Sequence, residues 1–97
     1  MNLIALNDDY QLAIGAVGKK LRLMVFQAGV ENVCRLETQK NLKKFAFSGD
    51  GRLFKGRLQL QKDLHAINVL VKEKTIGAIN NERFIKLIDG ITLPVSA

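Results

Sequence analysis

Tryptophan is absent from these 97 residues, and Cys34, His65, Tyr10 and Pro94 are each the only residue of their kind. One cysteine allows no intramolecular disulfide, and one cysteine with one histidine cannot build the cluster of a structural zinc site. The fold must therefore rest on a packed core, and a chain of this length buries roughly 65% of its unfolded surface, which is enough. Lack of tryptophan and a single tyrosine also remove the aromatic anchors that dominate tight protein hot spots.

Catalytic constellations are equally sparse. A Cys–His nucleophile pair would need Cys34 beside His65, and no motif places them together. Asp8-Asp9 is the only adjacent carboxylate pair. It sits in an Asn-Asp-Asp run that reads as a turn, not as a pocket that splits two pKa values. Long apolar runs are missing as well. The longest uncharged stretch, Tyr10 to Gly18, has nine residues, too few to cross a bilayer. The opening residues carry no basic segment ahead of a long apolar one, so no signal peptide is read there. The expectation is a cytoplasmic, reducing setting, with no membrane partner, no metal, no cofactor and no enzyme activity.

What the chain does have is turns. Clusters of turn formers fall at Asn7-Asp8-Asp9, Gly18-Lys19, Ala28-Gly29, Gln39-Lys40-Asn41, Gly49-Asp50-Gly51, Lys62-Asp63, Glu73-Lys74, Asn80-Asn81 and Asp89-Gly90. Segments of this spacing read as short strands of an all-β domain. Between the turns apolar residues alternate: Leu12, Ile14 and Ala16 share one face with Tyr10, and Leu21, Leu23 and Val25 share another. Ile67, Val69 and Val71 repeat the pattern, with Ala66 and Leu70 suggesting a strand covered on both sides. Asp89-Gly90 between β-prone runs predicts a further hairpin, with Pro94 at or beyond an edge strand. The fold expected is mainly β, an antiparallel meander of short strands forming a small barrel or sandwich over a single domain, residues 1–97. The alternative is α+β with one or two short helices, within Glu31–Phe45 and from Asn81, where Phe84, Ile85 and Ile88 fall on one side. No internal repeat is visible.

Charge is concentrated in one place. Of the excess of +6, all lies between Lys40 and Lys62, where seven basic residues face only Asp50. Gly51 and Gly56 have the separation of a phosphate-binding loop, but Arg57-Leu58 follow where Lys and Ser/Thr are required. Gly49-Asp50-Gly51 begins a dinucleotide fingerprint that Phe54 breaks. A β-hairpin turning at Asp50-Gly51 accounts for more residues. It sets Phe47 opposite Phe54 and Phe45 opposite Gly56, all inward, and Lys44 opposite Arg57 outward.

The function expected is a non-catalytic binding domain that contacts an anionic polymer, best matched by nucleic acid, through this hairpin. The site residues are Lys40, Lys43, Lys44, Arg52, Lys55, Arg57 and Lys62. With every local phenylalanine inward, base stacking is not expected. The alternative is a self-associating assembly module, a homo-oligomer whose basic hairpin meets an acidic protein surface or guards an edge. Met24 and Phe26, on the same face as Lys20 and Arg22, then offer either a dimer interface or a second core layer. A small-molecule-binding barrel, or an enzyme with no recognisable motif, is the third class.

Overall fold

The computed structural model describes residues 2–48, 51–54 and 56–91. They form eight strands and two helices: β1 Asn2–Ala5, β2 Tyr10–Val17, β3 Lys20–Gln27, β4 Val30–Glu37, α1 Gln39–Phe47, β5 Gly51–Leu53, β6 Leu58–Lys62, β7 Ala66–Val71, β8 Lys74–Asn80 and α2 Asn81–Asp89. The strands make two four-stranded antiparallel meanders, β1-β2-β3-β4 and β5-β6-β7-β8. Neither sheet closes into a barrel. The mainly β expectation holds, together with its two short helices.

The architecture is one unit used twice: four strands, then a helix. Sequence periodicity does not reveal this repeat, but the backbone repeats in detail. The β3–β4 hairpin turns on Ala28-Gly29 and the β7–β8 hairpin on Lys72-Glu73, all four with φ between +51° and +82°. Positive φ at both central residues is the twist-matched two-residue hairpin turn. In each hairpin two residue pairs follow the turn, and then the second strand gains one residue, Asn32 in β4 and Ile76 in β8. The bulges therefore occupy equivalent positions.

The helices repeat as well. Thr38 caps α1 by accepting from the Asn41 amide, and Asn80 caps α2 by accepting from the Glu82 and Arg83 amides. Four and eight residues after each cap come the residues driven inward, Leu42 and Ala46 in α1, Phe84 and Ile88 in α2. That spacing is the buried stripe of a short helix.

Helix α1 overturns the predicted hairpin. Lys40 to Phe47 is helical, and β5 pairs instead with β6, Gly51↔Lys62, Arg52↔Gln61 and Leu53↔Leu60. Leu42, Phe45 and Ala46 bury one helical face, and the Thr38 cap decides between that period and the alternation of Phe45 with Phe47. The predicted turn residue Asp50 lies outside the described residues. The Asp89-Gly90 hairpin is also overturned: Asp89 ends α2 and Gly90 caps it. Pro94 lies outside the described residues.

One apolar cluster draws on everything. Ile4, Leu12, Ile14, Leu21, Leu23, Val25 and Val33 come from the N-terminal sheet, and Leu58, Leu60, Ile67, Val69, Val71, Ile76 and Ile79 from the C-terminal one. The two helices pack against each other and run antiparallel. The Gln39 side-chain amide donates to the carbonyls of Ile88 at 2.7 Å and Ile91 at 3.2 Å, so α1 begins where α2 ends. At the other sheet contact, the Asn7 amide donates to Ile76 O at 2.9 Å.

The outward faces of the two sheets differ. On the N-terminal sheet, register aligns Leu3–Ala13–Met24–Cys34 as one cross-strand row, flanked by Ala5–Gln11–Phe26–Glu31 and by Gly15–Arg22–Leu36. Ala13 and Met24 are buried yet lie outside the core cluster, so this face carries its own apolar layer. On the C-terminal sheet the outward residues are Arg52, Gln59, Gln61, Asn68 and Thr75 around Leu70.

Candidate polyanion-binding groove

The site begins at the cap of α1. Glu37 Oε1 accepts from the Thr38 amide at 2.8 Å and from Asn41 Nδ2 at 3.0 Å, fixing the first turn. With Leu42, Phe45 and Ala46 committed inward, helical geometry turns Lys40, Lys44 and Phe47 outward at positions i, i+4 and i+7. All three are exposed, Phe47 by 71%. The expectation that every local phenylalanine points inward is therefore corrected, because a helix cannot bury both Phe45 and Phe47 on one stripe.

Across from this helix lies the edge strand β5. A groove of about 310 Å³ runs between them, lined by Asn41, Lys44, Phe45, Ser48, Gly51, Arg52 and Leu53. Lys44 and Arg52 thus converge on one recess from two elements. Arg52 is oriented by a bond from Nη1 to Gln59 Oε1 at 2.9 Å, and Gln59 Nε2 is held in turn by Gly56 O at 3.2 Å. Only one guanidinium nitrogen is used in that contact, and the planar fork keeps other donors for a ligand oxygen.

The seven predicted residues divide. Lys40, Lys44, Arg52 and Arg57 are exposed, the first three on α1 and β5 and Arg57 in the turn before β6. Lys43 pairs with Asp89 of α2 at 2.5 Å. Lys62 is the plainest correction: it is 8% exposed, and its ammonium donates to the carbonyls of Ala46 and Ser48 at the end of α1. It occupies the inner face of β6, beside Ile67, so its charge serves a helix terminus and not a ligand. Lys55 lies outside the described residues. The predicted opposition of Lys44 and Arg57 does not occur, since α1 pairs with no strand.

Sequence reading missed Arg35. Its guanidinium reaches from β4 over the Phe54 ring, 5.0 Å from the centroid, and stands close to Gly56. This adds a cation–π contact and one more basic group near the β5–β6 turn. No local signal marked it, because β4 and β5 meet only through the tertiary fold.

The repeat supplies an internal comparison. Counted from the two caps, Lys40, Lys44 and Phe47 of α1 correspond to Glu82, Lys86 and Asp89 of α2. The outward stripe of α2 carries two acids and one base, and that of α1 two bases and an aromatic. An acid in the first turn suits the positive end of a helix, as Glu82 does. Lys40 has the unfavourable sign there, so stability does not explain its placement.

The remaining candidates stay apart. Asp8 and Asp9 form a turn with φ of 50° and 64°, as their sequence suggests. Asp9 and Tyr10 help line an open recess of about 390 Å³ that brings in neither Cys34 nor His65. Cys34 is exposed, not buried as free cysteines usually are, on the outer face of the N-terminal sheet. His65 lies in the β6–β7 connection of the other sheet. Among the described residues no cluster of three His, Cys, Asp or Glu is arranged for a metal, and no helix is long and apolar enough to cross a membrane. Comparison with protein-family models, with curated proteins and with solved structures gives no match.

Proposed function

We propose that the chain is a non-catalytic binding domain for an anionic polymer, best matched by single-stranded nucleic acid, acting through the α1–β5 groove. One observation carries the reading: at positions where α2 presents Glu82, Lys86 and Asp89, α1 presents Lys40, Lys44 and Phe47, with Lys44 facing Arg52 across a recess. Two lysines one turn apart, with an arginine on the facing strand, track successive phosphates, and an exposed phenylalanine offers a face on which a base can stack. Phosphate contacts dominate in such a site and sequence preference is weak. An acidic protein surface is the competing ligand, and it has no base to stack on Phe47. A cytoplasmic setting belongs to the same reading, supported by an exposed thiol at Cys34, which a reducing compartment keeps free.

The test is fluorescence anisotropy with labelled single-stranded RNA, single-stranded DNA and duplex DNA at about 50 and about 200 mM salt. Contacts from Lys40, Lys44, Arg52 and Arg57 imply a log–log slope near −2.8 on a single strand, about a fifty-fold loss over that range. The Lys44→Glu/Arg52→Glu variant is expected to abolish binding while its circular dichroism matches the parent. Absence of binding at the lower salt, or binding that persists in the double variant, rejects the groove as a polyanion site.

A further inference from the structure

The side chains beyond Arg52 set the two sheets apart. Register runs Arg52–Gln61–Asn68–Ala78 straight across the outward face of the C-terminal sheet. Matching the pair Leu60↔Val69 to Leu12↔Val25 places this row against Leu3–Ala13–Met24–Cys34 of the N-terminal sheet. The same strand positions are thus built from Leu, Ala, Met and Cys in one half and from Arg, Gln, Asn and Ala in the other. The sheet does not require amides there, so their placement has another reason.

Their hydrogen bonding narrows that reason. Gln59 is engaged, since its Oε1 accepts from Arg52 and its Nε2 donates to Gly56 O. Gln61 is exposed and Asn68 half-buried, and among the described residues neither side-chain amide has a hydrogen-bond partner. Neither is sealed from solvent, so each presents donors and an acceptor beside Arg52. No carboxylate stands among the outward paired residues of this sheet, and nothing there repels an anion.

We infer that Gln61 and Asn68 bind ribose 2′-hydroxyls of the strand held in the α1–β5 groove, which makes the ligand RNA rather than DNA. The inference rests on the groove reading and names its substrate. Facing residues of an antiparallel pair hold their Cβ atoms about 5 Å apart, and a 2′-hydroxyl lies only a few bonds from the phosphate on its 3′ side. A phosphate on the Arg52 fork therefore brings a 2′-hydroxyl within reach of Gln61, and Asn68 stands next along the same row. A hydroxyl and a carboxamide each donate and accept, so they pair in either direction. Lysine or arginine at these positions would strengthen phosphate binding and offer the sugar no acceptor. Contacts of this kind follow the backbone and leave the bases unread, in keeping with a weak sequence preference.

Fluorescence anisotropy at about 50 mM salt compares three strands of identical base sequence: RNA, its 2′-O-methyl form, and DNA carrying deoxyuridine. RNA is expected to bind about ten-fold more tightly than the other two, the effect of one or two hydrogen bonds. The methylated strand keeps the base and the sugar shape of RNA, so its loss isolates the hydroxyl. The Gln61→Ala/Asn68→Met variant carries the residues that the N-terminal sheet has at these positions. It is expected to bind all three strands alike, at the parent's affinity for DNA and with the parent's salt slope. Equal binding of the three strands by the parent overturns the inference and leaves the groove standing. So does an RNA preference that survives in the variant, or a variant that loses DNA binding as well. No binding of any strand by the parent removes the groove and this inference with it.

Discussion

Lys62 donates its ammonium to the main-chain carbonyl of Ala46, and to that of Ser48, from the inner face of β6. By register Lys62 stands where the first half of the molecule has Ile14, two pairs beyond Leu60 as Ile14 is beyond Leu12. An apolar position has become the clamp on the end of a helix. Lys62→Met keeps the stem and removes the donor from which both carbonyls accept. Urea denaturation is expected to show a loss of about 1–3 kcal/mol. Affinity for single-stranded nucleic acid is expected to stay within two-fold. A stable variant with weakened binding would return Lys62 to the ligand site.

Gly77 faces Leu6. A Cβ on Gly77 would come within 2.8 Å of Leu6 Cβ and Cδ2, and the neighbouring Asn7–Ile76 hydrogen bond fixes the same join between the sheets. Because the obstructing atoms include a Cβ, the strain cannot be relieved by rotating a chain end. Gly77→Ala is expected to cost about 1–3 kcal/mol on the overpacking scale. Thermal denaturation that leaves the midpoint unchanged would show the loop to be free to move.

Phe47 separates stability from binding. Little of it is buried, so Phe47→Ala is expected to change folding stability by less than about 0.5 kcal/mol. Loss of a stacked base is expected to weaken single-strand binding by about 5- to 150-fold, from about 1–3 kcal/mol per base. Duplex binding is expected to change little. Equal losses on both ligands would remove stacking from the mechanism.

Lys43 and Lys44 are sequence neighbours with different tasks. Lys43 is engaged with Asp89, whereas Lys44 faces the groove. Lys44→Ala is expected to flatten the salt slope by about 0.7, one single-strand phosphate contact, and Lys43→Ala to leave it unaltered. Anisotropy titrations at four salt concentrations check this, and equal slopes for the two variants would contradict it.

Strand positions were legible where one face met the core, as in Leu21-Leu23-Val25 and Ile67-Val69-Val71, since burial of alternate residues leaves a period of two. The second helix was legible in part from Asn80-Asn81 and the spacing of Phe84, Ile85 and Ile88. Helix α1 was hard to read because Phe45 and Phe47 imitate a strand while Leu42, Phe45 and Ala46 satisfy a helix. Only the local cap at Thr38 breaks the tie. The charge excess was correctly confined to residues 40–62, but the sequence cannot say which lysines the fold will consume. Lys62 is taken by a carbonyl pair and Lys43 by Asp89, both tertiary partners. The repeat was hidden because equivalent positions share direction and not identity: Leu12 answers to Leu60, but Ile14 to Lys62.

Among the described residues every ladder joins strands that are consecutive in the chain, so each half closes its hairpins across short loops. Loop-closure entropy is low for such local pairings, and local topology sets a fast folding rate for a β protein. The slow event left over is the docking of one half on the other, where α1 meets α2. Gln39 and Lys62 each bind the end of a helix at that junction, and their contacts form only when the halves have met. Substitutions at these two residues should therefore accelerate unfolding and leave the refolding rate nearly unchanged. The doubled plan would then persist in time as well as in space, as two early events and one late one.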